Sequence, residues 1–145
     1  MFVGNLKDTI NLGKKFARDL KPQSIVLLQG PIGAGKTSFV QGMAKGLSIT
    51  EDITSPTFAL SHHYHTGKIP LIHLDLYRIE NISMARELFL AEEEESNQCK
   101  AILVIEWPEL IKPLLDNFWE IDISYAENFG RNYEICLPKN SLTFT

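Results

Sequence analysis

Apolar residues recur every three or four positions in three segments of the chain, which is the spacing of one face of an α-helix. The first segment predicts a helix that is capped by Asp8 and runs to about Leu20. The second segment predicts a helix through its apolar positions Phe39, Val40, Met43, Ala44 and Leu47. The third predicts a helix capped by Ser83, with the acidic run at residues 92–95 leading out of it.

Short apolar runs between these helices predict strands. Residues 24–29 and 101–105 are mostly apolar, which suits central strands that are buried on both faces. Residues 57–65 and 69–74 are separated by a turn and predict a hairpin. Strands that alternate with helices in this way are typical of an α/β fold with helices on both faces of the sheet.

The C-terminal part of the chain changes to a period of two. After a short helix that Pro108 begins and Pro113 interrupts, apolar and polar residues alternate over residues 119–126 and again over residues 133–137. This alternation predicts an antiparallel hairpin at a sheet edge. The chain is therefore expected to form one α/β domain over residues 1–145, with a mixed central sheet and an antiparallel C-terminal hairpin.

Composition narrows the class of protein. With 145 residues, of which 44% are apolar and 22% charged, the chain is expected to be a soluble globular protein with a single core. It contains no apolar stretch of membrane-spanning length and no secretory signal pattern, so we expect a cytoplasmic protein without a membrane partner. The net charge of −4 disfavours a broad nucleic-acid footprint, because phosphate neutralisation dominates such binding.

Residues 30–37 match the phosphate-binding loop G-x-x-x-x-G-K-S/T at every defined position. The glycines of this motif allow backbone N–H groups to converge on phosphate oxygens at a helix start. Lys36 supplies a mobile positive charge, and Thr37 offers a hydroxyl to Mg²⁺. The chain is therefore predicted to bind ATP or GTP with Mg²⁺. The predicted nucleotide contacts are Pro31, Ile32, Gly33, Ala34, Gly35, Lys36, Thr37 and Ser38.

Two apolar runs end in acids that would complete such a site, namely Asp75 and Glu106. Because the carboxyl ends of strands face the nucleotide crevice in sheets of this kind, both carboxylates are expected to reach Mg²⁺ or its waters. Thr57 follows the loop helix, where its hydroxyl could sense the terminal phosphate. We predict that the catalytic residues are Lys36, Thr57, Asp75 and Glu106, and that the metal ligands are Thr37, Asp75 and Glu106.

Several short motifs accompany the phosphate loop in a fixed order. They are S-P-T-F at residues 55–58, H-L-D-L-Y-R at residues 73–78, I-E-W at residues 105–107 and G-R at residues 130–131. In these motifs, and over almost its full length, the chain resembles the TsaE (YjeE) family. The resemblance implies a small P-loop ATPase that serves the threonylcarbamoyladenosine (t6A) modification of tRNAs reading codons that begin with A. It also implies that the chain binds the TsaD transferase and its paralogue TsaB, and meets tRNA only through them.

The same resemblance implies roles for further residues. Trp107 is expected near the nucleotide or a partner surface, and Thr9 and Arg131 are expected at the nucleotide. Asp75 would order water or metal, and Thr57 would act in a switch. The ligands implied are ATP or ADP together with Mg²⁺.

Two other functions share these features. A small-molecule kinase would use the same loop, but such kinases clamp anionic substrates with several arginines, and this chain has only four, at positions 18, 78, 86 and 131. A nucleotide-gated interaction protein would bind nucleotide without significant turnover, with the two acids fixing a conformation. Measuring phosphate release with and without partners, together with a screen of phosphate acceptors, separates the three functions.

Overall fold

Helices and strands alternate along the chain, as the sequence pattern predicts. The structure is a computed structural model that describes residues 1–54 and 60–139. The strands are β1 (Phe2–Val3), β2 (Ile25–Gln29), β3 (Ser61–Tyr64), β4 (Leu71–Asp75), β5 (Ile102–Glu106), β6 (Trp119–Tyr125) and β7 (Arg131–Cys136). The helices are α1 (Leu6–Arg18), α2 (Lys36–Gly46) and α3 (Ile82–Cys99), with short 3₁₀ turns at Pro108–Leu110 and Lys112–Leu114. Within the described ranges, no helix is long and apolar enough to cross a membrane.

The described strands form one sheet in the order β1-β7-β6-β2-β5-β4-β3. The central strands β6, β2, β5 and β4 run parallel to one another. Antiparallel pairs flank them, β3 with β4 on one side, and β7 with β6 and β1 on the other. The predicted mixed sheet and both predicted hairpins are therefore confirmed. Because the central strands are parallel, the carboxyl ends of β2, β5 and β4 lie together at one end of the sheet.

The C-terminal hairpin does not lie at the edge of the sheet, and that part of the prediction was wrong. β6 pairs with β2 inside the sheet, and β7 is covered by β1, whose Phe2 and Val3 pair with Asn132 and Arg131. A strand of two residues is too short to show the alternation by which strands are recognised in a sequence.

Two helix starts also differ from the predictions. Asn5, and not Asp8, caps α1, since its side chain accepts a hydrogen bond from the Asp8 N–H at 2.9 Å. Asn81, and not Ser83, caps α3 by accepting from the Ser83 N–H at 2.8 Å. The acidic run at 92–95 belongs to α3, which continues to Cys99 because its inner face stays buried beyond that run.

Helices cover both faces of the sheet, as predicted. One core cluster joins the sheet to α1 and α2 and includes Ala17, Phe39 and Met43. The other joins the opposite face to α3 and includes Ala85 and Phe89. The strands β2 and β5 at the centre of the sheet are therefore buried on both sides, which fits their almost entirely apolar sequences.

The contact between α1 and α2 depends on glycine. A methyl group on Gly42 would lie 2.2 Å from the carbonyl oxygen of Ile10, and one on Gly13 would lie 2.3 Å from the carbonyl oxygen of Phe39. The two backbones therefore touch with no room for a side chain between them. Because α2 begins at the phosphate loop, this contact also fixes the helix that follows the loop.

We expect Gly42→Ala to lower the free energy of unfolding by about 1–3 kcal/mol, because overpacking outweighs the roughly 1 kcal/mol that alanine gains over glycine within a helix. A urea titration measures this change. Gly4→Ala is the control, since its methyl group would meet no heavy atom closer than 3.7 Å. A Gly42→Ala protein as stable as the parent would show that the two helices can move apart without cost.

Candidate nucleotide-binding site

The predicted phosphate loop connects the end of β2 to the start of α2. Gly33 and Gly35 have left-handed backbone conformations, with φ of 79° and 103°, which residues with a side chain rarely adopt. Gly35 is the N-cap of α2, whose first turn carries N–H groups without helical acceptors. The loop and the helix start therefore present backbone donors and a positive helix end, an arrangement that suits a phosphate group.

Lys36, the first residue of α2, is buried beside the loop. Its Nζ donates hydrogen bonds to the carbonyl oxygens of Gly30 and Pro31 at 2.6 and 3.0 Å. The same nitrogen lies 4.2 Å from the centre of the Trp107 ring, within the range of a cation–π interaction. The ammonium group is thus held over the loop by neutral partners.

Asp75 and Glu106 end the neighbouring strands β4 and β5 and are partners in their register. Both line a cleft of about 420 Å³ together with Lys36 and Thr37. Burial lowers the pKa of Lys36, and the carboxylates of Glu106 and Asp75 oppose this change. Burial raises the pKa of Asp75, and the Tyr77 N–H, which donates to Oδ1 at 2.9 Å, opposes that rise. The positive charge of Lys36 and the negative charges of Asp75 and Glu106 therefore lie close together in a cleft where each is partly desolvated.

Glu106 is buried and has a partner that the sequence did not reveal. Its Oε2 lies 2.5 Å from Nε2 of His73, a fully buried residue of β4. Nδ1 of His73 is also buried and has no hydrogen-bond partner among the described residues. Nε2 is therefore the ring nitrogen that donates to the carboxylate of Glu106. The available signal was spacing, since His73 stands two residues before Asp75 and shares its face of the strand.

A second cleft, of about 190 Å³, adjoins the same loop. Its lining includes the predicted residues Thr9, Gly33, Ala34, Gly35, Ser38 and Arg131. Thr9 is buried, and its Oγ1 accepts a hydrogen bond from the Tyr133 hydroxyl at 3.5 Å. Gly33, Gly35 and Ser38 line both clefts, so the two clefts adjoin each other at the loop.

Most of the predicted site residues therefore come together. The larger cleft contains the predicted residues Ile32, Gly33, Gly35, Lys36, Thr37, Ser38, Asp75, Glu106 and Trp107. The cleft also contains Tyr77, which belongs to the H-L-D-L-Y-R motif but was not among the predicted site residues, and whose ring lies 4.8 Å from that of Trp107. Thr57 lies outside the described residues, so its role stays a prediction.

The chain is similar in sequence and in structure to several known proteins. The family described as "Threonylcarbamoyl adenosine biosynthesis protein TsaE" matches residues 3–133. The chain is 40% identical over 138 residues to the tRNA threonylcarbamoyladenosine biosynthesis protein TsaE of a Nostoc species, a match that covers 93% of this chain and 83% of the relative. It is 43% identical over 131 residues to the protein of the same name from Rickettsia prowazekii, covering 89% and 88%. The crystal structure of Bacillus subtilis YdiB is similar with a TM-score of 0.79 and 28% identity, covering 97% of this chain and 86% of that one.

We expect Asp75→Asn to raise the Tm of the nucleotide-free protein at neutral pH, by on the order of 1–2 °C. The pKa of Asp75 is raised in the folded state, so above that pKa the partly buried carboxylate costs free energy that asparagine avoids. Below a pH of about 4 the carboxyl is protonated in both states, and the gain should vanish. Thermal melts across this pH range measure the difference.

The control for this prediction is Asp116→Asn, which removes the same charge from an exposed position. It should leave the Tm close to that of the parent at every pH. If Asp75→Asn is no more stable than the parent at neutral pH, the carboxylate carries no burial penalty.

Proposed function

The chain belongs to the TsaE family of tRNA threonylcarbamoyladenosine biosynthesis proteins, and on this premise we propose that it is an ATP hydrolase of that pathway. In the proposal, TsaD and its paralogue TsaB carry out the carbamoyl-threonyl transfer to tRNA. This chain binds the TsaB–TsaD pair and hydrolyses ATP to sustain repeated turnover. Hydrolysis is slow in the isolated chain and is stimulated by the partners.

One arrangement carries the proposal, the meeting of a lysine, a hydroxyl and two carboxylates at a glycine-rich loop. Lys36, Thr37, Asp75 and Glu106 line a single cleft at the N-terminus of α2. The ammonium group and the N–H groups of the loop are donors that match the oxygens of a nucleotide's phosphates, whereas the carboxylates suit the cation that accompanies a nucleotide. Charge-assisted bonds are among the strong ones in proteins. The Lys36 ammonium has three N–H donors, of which two are bonded to the carbonyl oxygens of Gly30 and Pro31, so a third remains for a phosphate oxygen.

The side chains present fit Mg²⁺ that arrives with the nucleotide. Among residues 1–54 and 60–139, no group of three or more His, Cys, Asp or Glu side chains could hold a metal ion by itself. Mg²⁺ is usually bound by one or two carboxylates, with phosphate oxygens and waters completing its shell. Glu106 and the Thr37 hydroxyl would be the protein's ligands to the ion, and Asp75 would act on the ion or on its waters. When bound, the ion would supply positive charge against the negative charge that develops during transfer.

The two acids have different surroundings and therefore different proposed roles. Glu106 is fixed by the bond between its Oε2 and His73, which leaves Oε1 as the oxygen with which it would hold the cation. Asp75 is less buried, and the Tyr77 N–H orients its Oδ1. We assign Asp75 to the ordering of a water or of the cation's hydration shell. Thr57 keeps its predicted role as the residue that senses the terminal phosphate.

Contact with tRNA is proposed to be indirect. The chain has a net charge of −4, so it can neutralise few phosphates of a nucleic-acid backbone at physiological salt. Association with TsaB and TsaD would instead bring the ATPase to the modification reaction. In this way the chain affects a tRNA product without binding tRNA tightly.

We expect Lys36→Ala to weaken Mg-ATP binding by roughly 10- to 100-fold, the loss that follows from removing a charge-assisted bond. The fold should persist, because the ammonium group is bonded to loop carbonyls and not to core side chains. Titration calorimetry and a thermal melt measure the two properties. Lys68→Ala removes the same charge from an exposed position and should bind as the parent does. Unchanged nucleotide affinity in Lys36→Ala would show that the loop does not bind the nucleotide in the proposed way.

Reconstitution with TsaB, TsaD, tRNA, ATP and the threonylcarbamoyl donor tests the function itself. Without this chain, modification should stop after a single round per complex, and the parent chain with ATP should restore repeated rounds. Glu106→Gln keeps the side chain's shape but loses its charge, so it should bind ADP yet hydrolyse ATP on the order of 100-fold more slowly and fail to restore turnover. Full turnover without the chain, or with Glu106→Gln, would rule out the proposed role.

A further inference from the structure

The hairpin of β6 and β7 bonds to three successive carbonyl groups of the phosphate loop. The Tyr125 hydroxyl donates to the carbonyl oxygen of Ile32 at 2.6 Å. The Arg131 guanidinium donates from Nε to the carbonyl oxygen of Ala34 at 3.2 Å and from Nη2 to that of Gly33 at 3.3 Å. Nearly 100 residues of sequence separate these donors from their acceptors, so the contact is a tertiary feature and not part of the loop motif.

The two donors are themselves held in place. Tyr125 and Arg131 are partners in the register of β6 and β7, and the Arg131 guanidinium carbon lies 4.5 Å from the centre of the Tyr125 ring. Nη1 of Arg131 donates to the carbonyl oxygens of Phe129 and Gly130, each at 3.0 Å. The backbone of Arg131 pairs on its other side with Val3 of β1. A strand pair and a set of local bonds therefore fix the position from which the loop is contacted.

Carbonyl bonds of this kind determine where the loop's N–H groups point. In a trans peptide unit the N–H group points away from the carbonyl group that precedes it. Bonds that hold the carbonyl groups of Ile32 and Ala34 towards the hairpin therefore turn the N–H groups of Gly33 and Gly35 to the opposite side. Both glycines line the cleft that contains Lys36 and Thr37. Glycine loops also lose much conformational entropy when ordered, and a loop ordered in advance avoids that loss on binding.

We propose that Arg131 and Tyr125 are positioning residues that hold the phosphate loop in its binding conformation, a role that rests on the proposed binding of nucleotide phosphates by this loop. The sequence-based prediction put Arg131 at the nucleotide. The bonds assign its effect instead to the loop carbonyls, so that it raises affinity for phosphate without touching the base. Two other roles are distinguishable from this one: a direct contact with the base, since Arg131 also lines the cleft beside Thr9, and a long-range attraction between its charge and the phosphates.

The test compares two ligands, Mg-ADP and Mg-tripolyphosphate, because tripolyphosphate has no base or ribose. Titration calorimetry on Arg131→Ala and Tyr125→Phe should give a loss of about tenfold in affinity, by the same factor for both ligands. Arg131→Lys should recover only part of the loss, because a lysine presents one nitrogen where the guanidinium uses several. Arg18→Ala, which removes an exposed arginine elsewhere, is the matched control and should bind as the parent does.

A second readout needs no ligand. The amide resonances of Gly33 and Gly35 in the NMR spectrum should shift or broaden in Tyr125→Phe, which keeps the ring and the net charge and loses only the hydroxyl. This variant also keeps the proposal testable if Arg131→Ala does not fold. Unchanged glycine resonances together with parent-like affinity in Tyr125→Phe would overturn the positioning role.

Other outcomes identify the alternatives. A loss for Mg-ADP with unchanged tripolyphosphate binding would assign Arg131 to the base and overturn the proposal. If Arg131→Lys recovers the full affinity and Tyr125→Phe has no effect, Arg131 acts only through its charge, and the proposal is also overturned. A parent protein that binds neither ligand would overturn the nucleotide-binding function and the positioning role with it, whereas normal binding by every variant would overturn the positioning role alone.

Discussion

The parallel register of β2, β5 and β4 is the constraint on which the site depends. Glu106 at the end of β5 pairs with Leu28 of β2 on one side and with Asp75 of β4 on the other. The phosphate loop follows β2 just beyond this level, so the loop and both carboxylates lie at the same end of the sheet, where the central strands have their carboxyl ends. A slip of one residue in either strand would turn its carboxylate to the other face. The register is secured by β5, which is buried along its whole length.

The same grouping of charges opposes folding and suits the proposed ligand. An ammonium group and two carboxylates lose hydration at this end of the sheet, and burial is the main cause of the lowered pKa of Lys36 and the raised pKa of Asp75. A ligand that brings phosphates and a cation would supply the partners that best compensate this loss. The two apolar cores that α1, α2 and α3 form with the sheet supply the free energy of folding that offsets this loss of hydration.

Local patterns in the sequence predicted the loop, the central strands and the acids that end two of them, because each of these features depends on residues that are close together in the chain. The bond between His73 and Glu106 was not predictable in this way, since 33 residues separate the two and only the strand order brings them together. The contact of Arg131 with the loop depends likewise on the sheet order. The helix caps failed for a different reason: Asn and Asp, or Asn and Ser, are both good caps, and the choice depends on where the helix starts in three dimensions.

The sheet order has a consequence for how the protein acquires its site during synthesis. The strand that carries the loop, β2, lies between β5 and β6, which the ribosome makes much later. The loop sequence therefore leaves the ribosome long before the strands that flank it and the hairpin that holds its carbonyl groups. Contacts between such distant segments form late, because a long loop of chain must close before they gain any stabilisation. A nascent chain would therefore carry the complete phosphate motif before it has made the carboxylate of β5 and the C-terminal hairpin that contact the loop or its cleft in the folded protein.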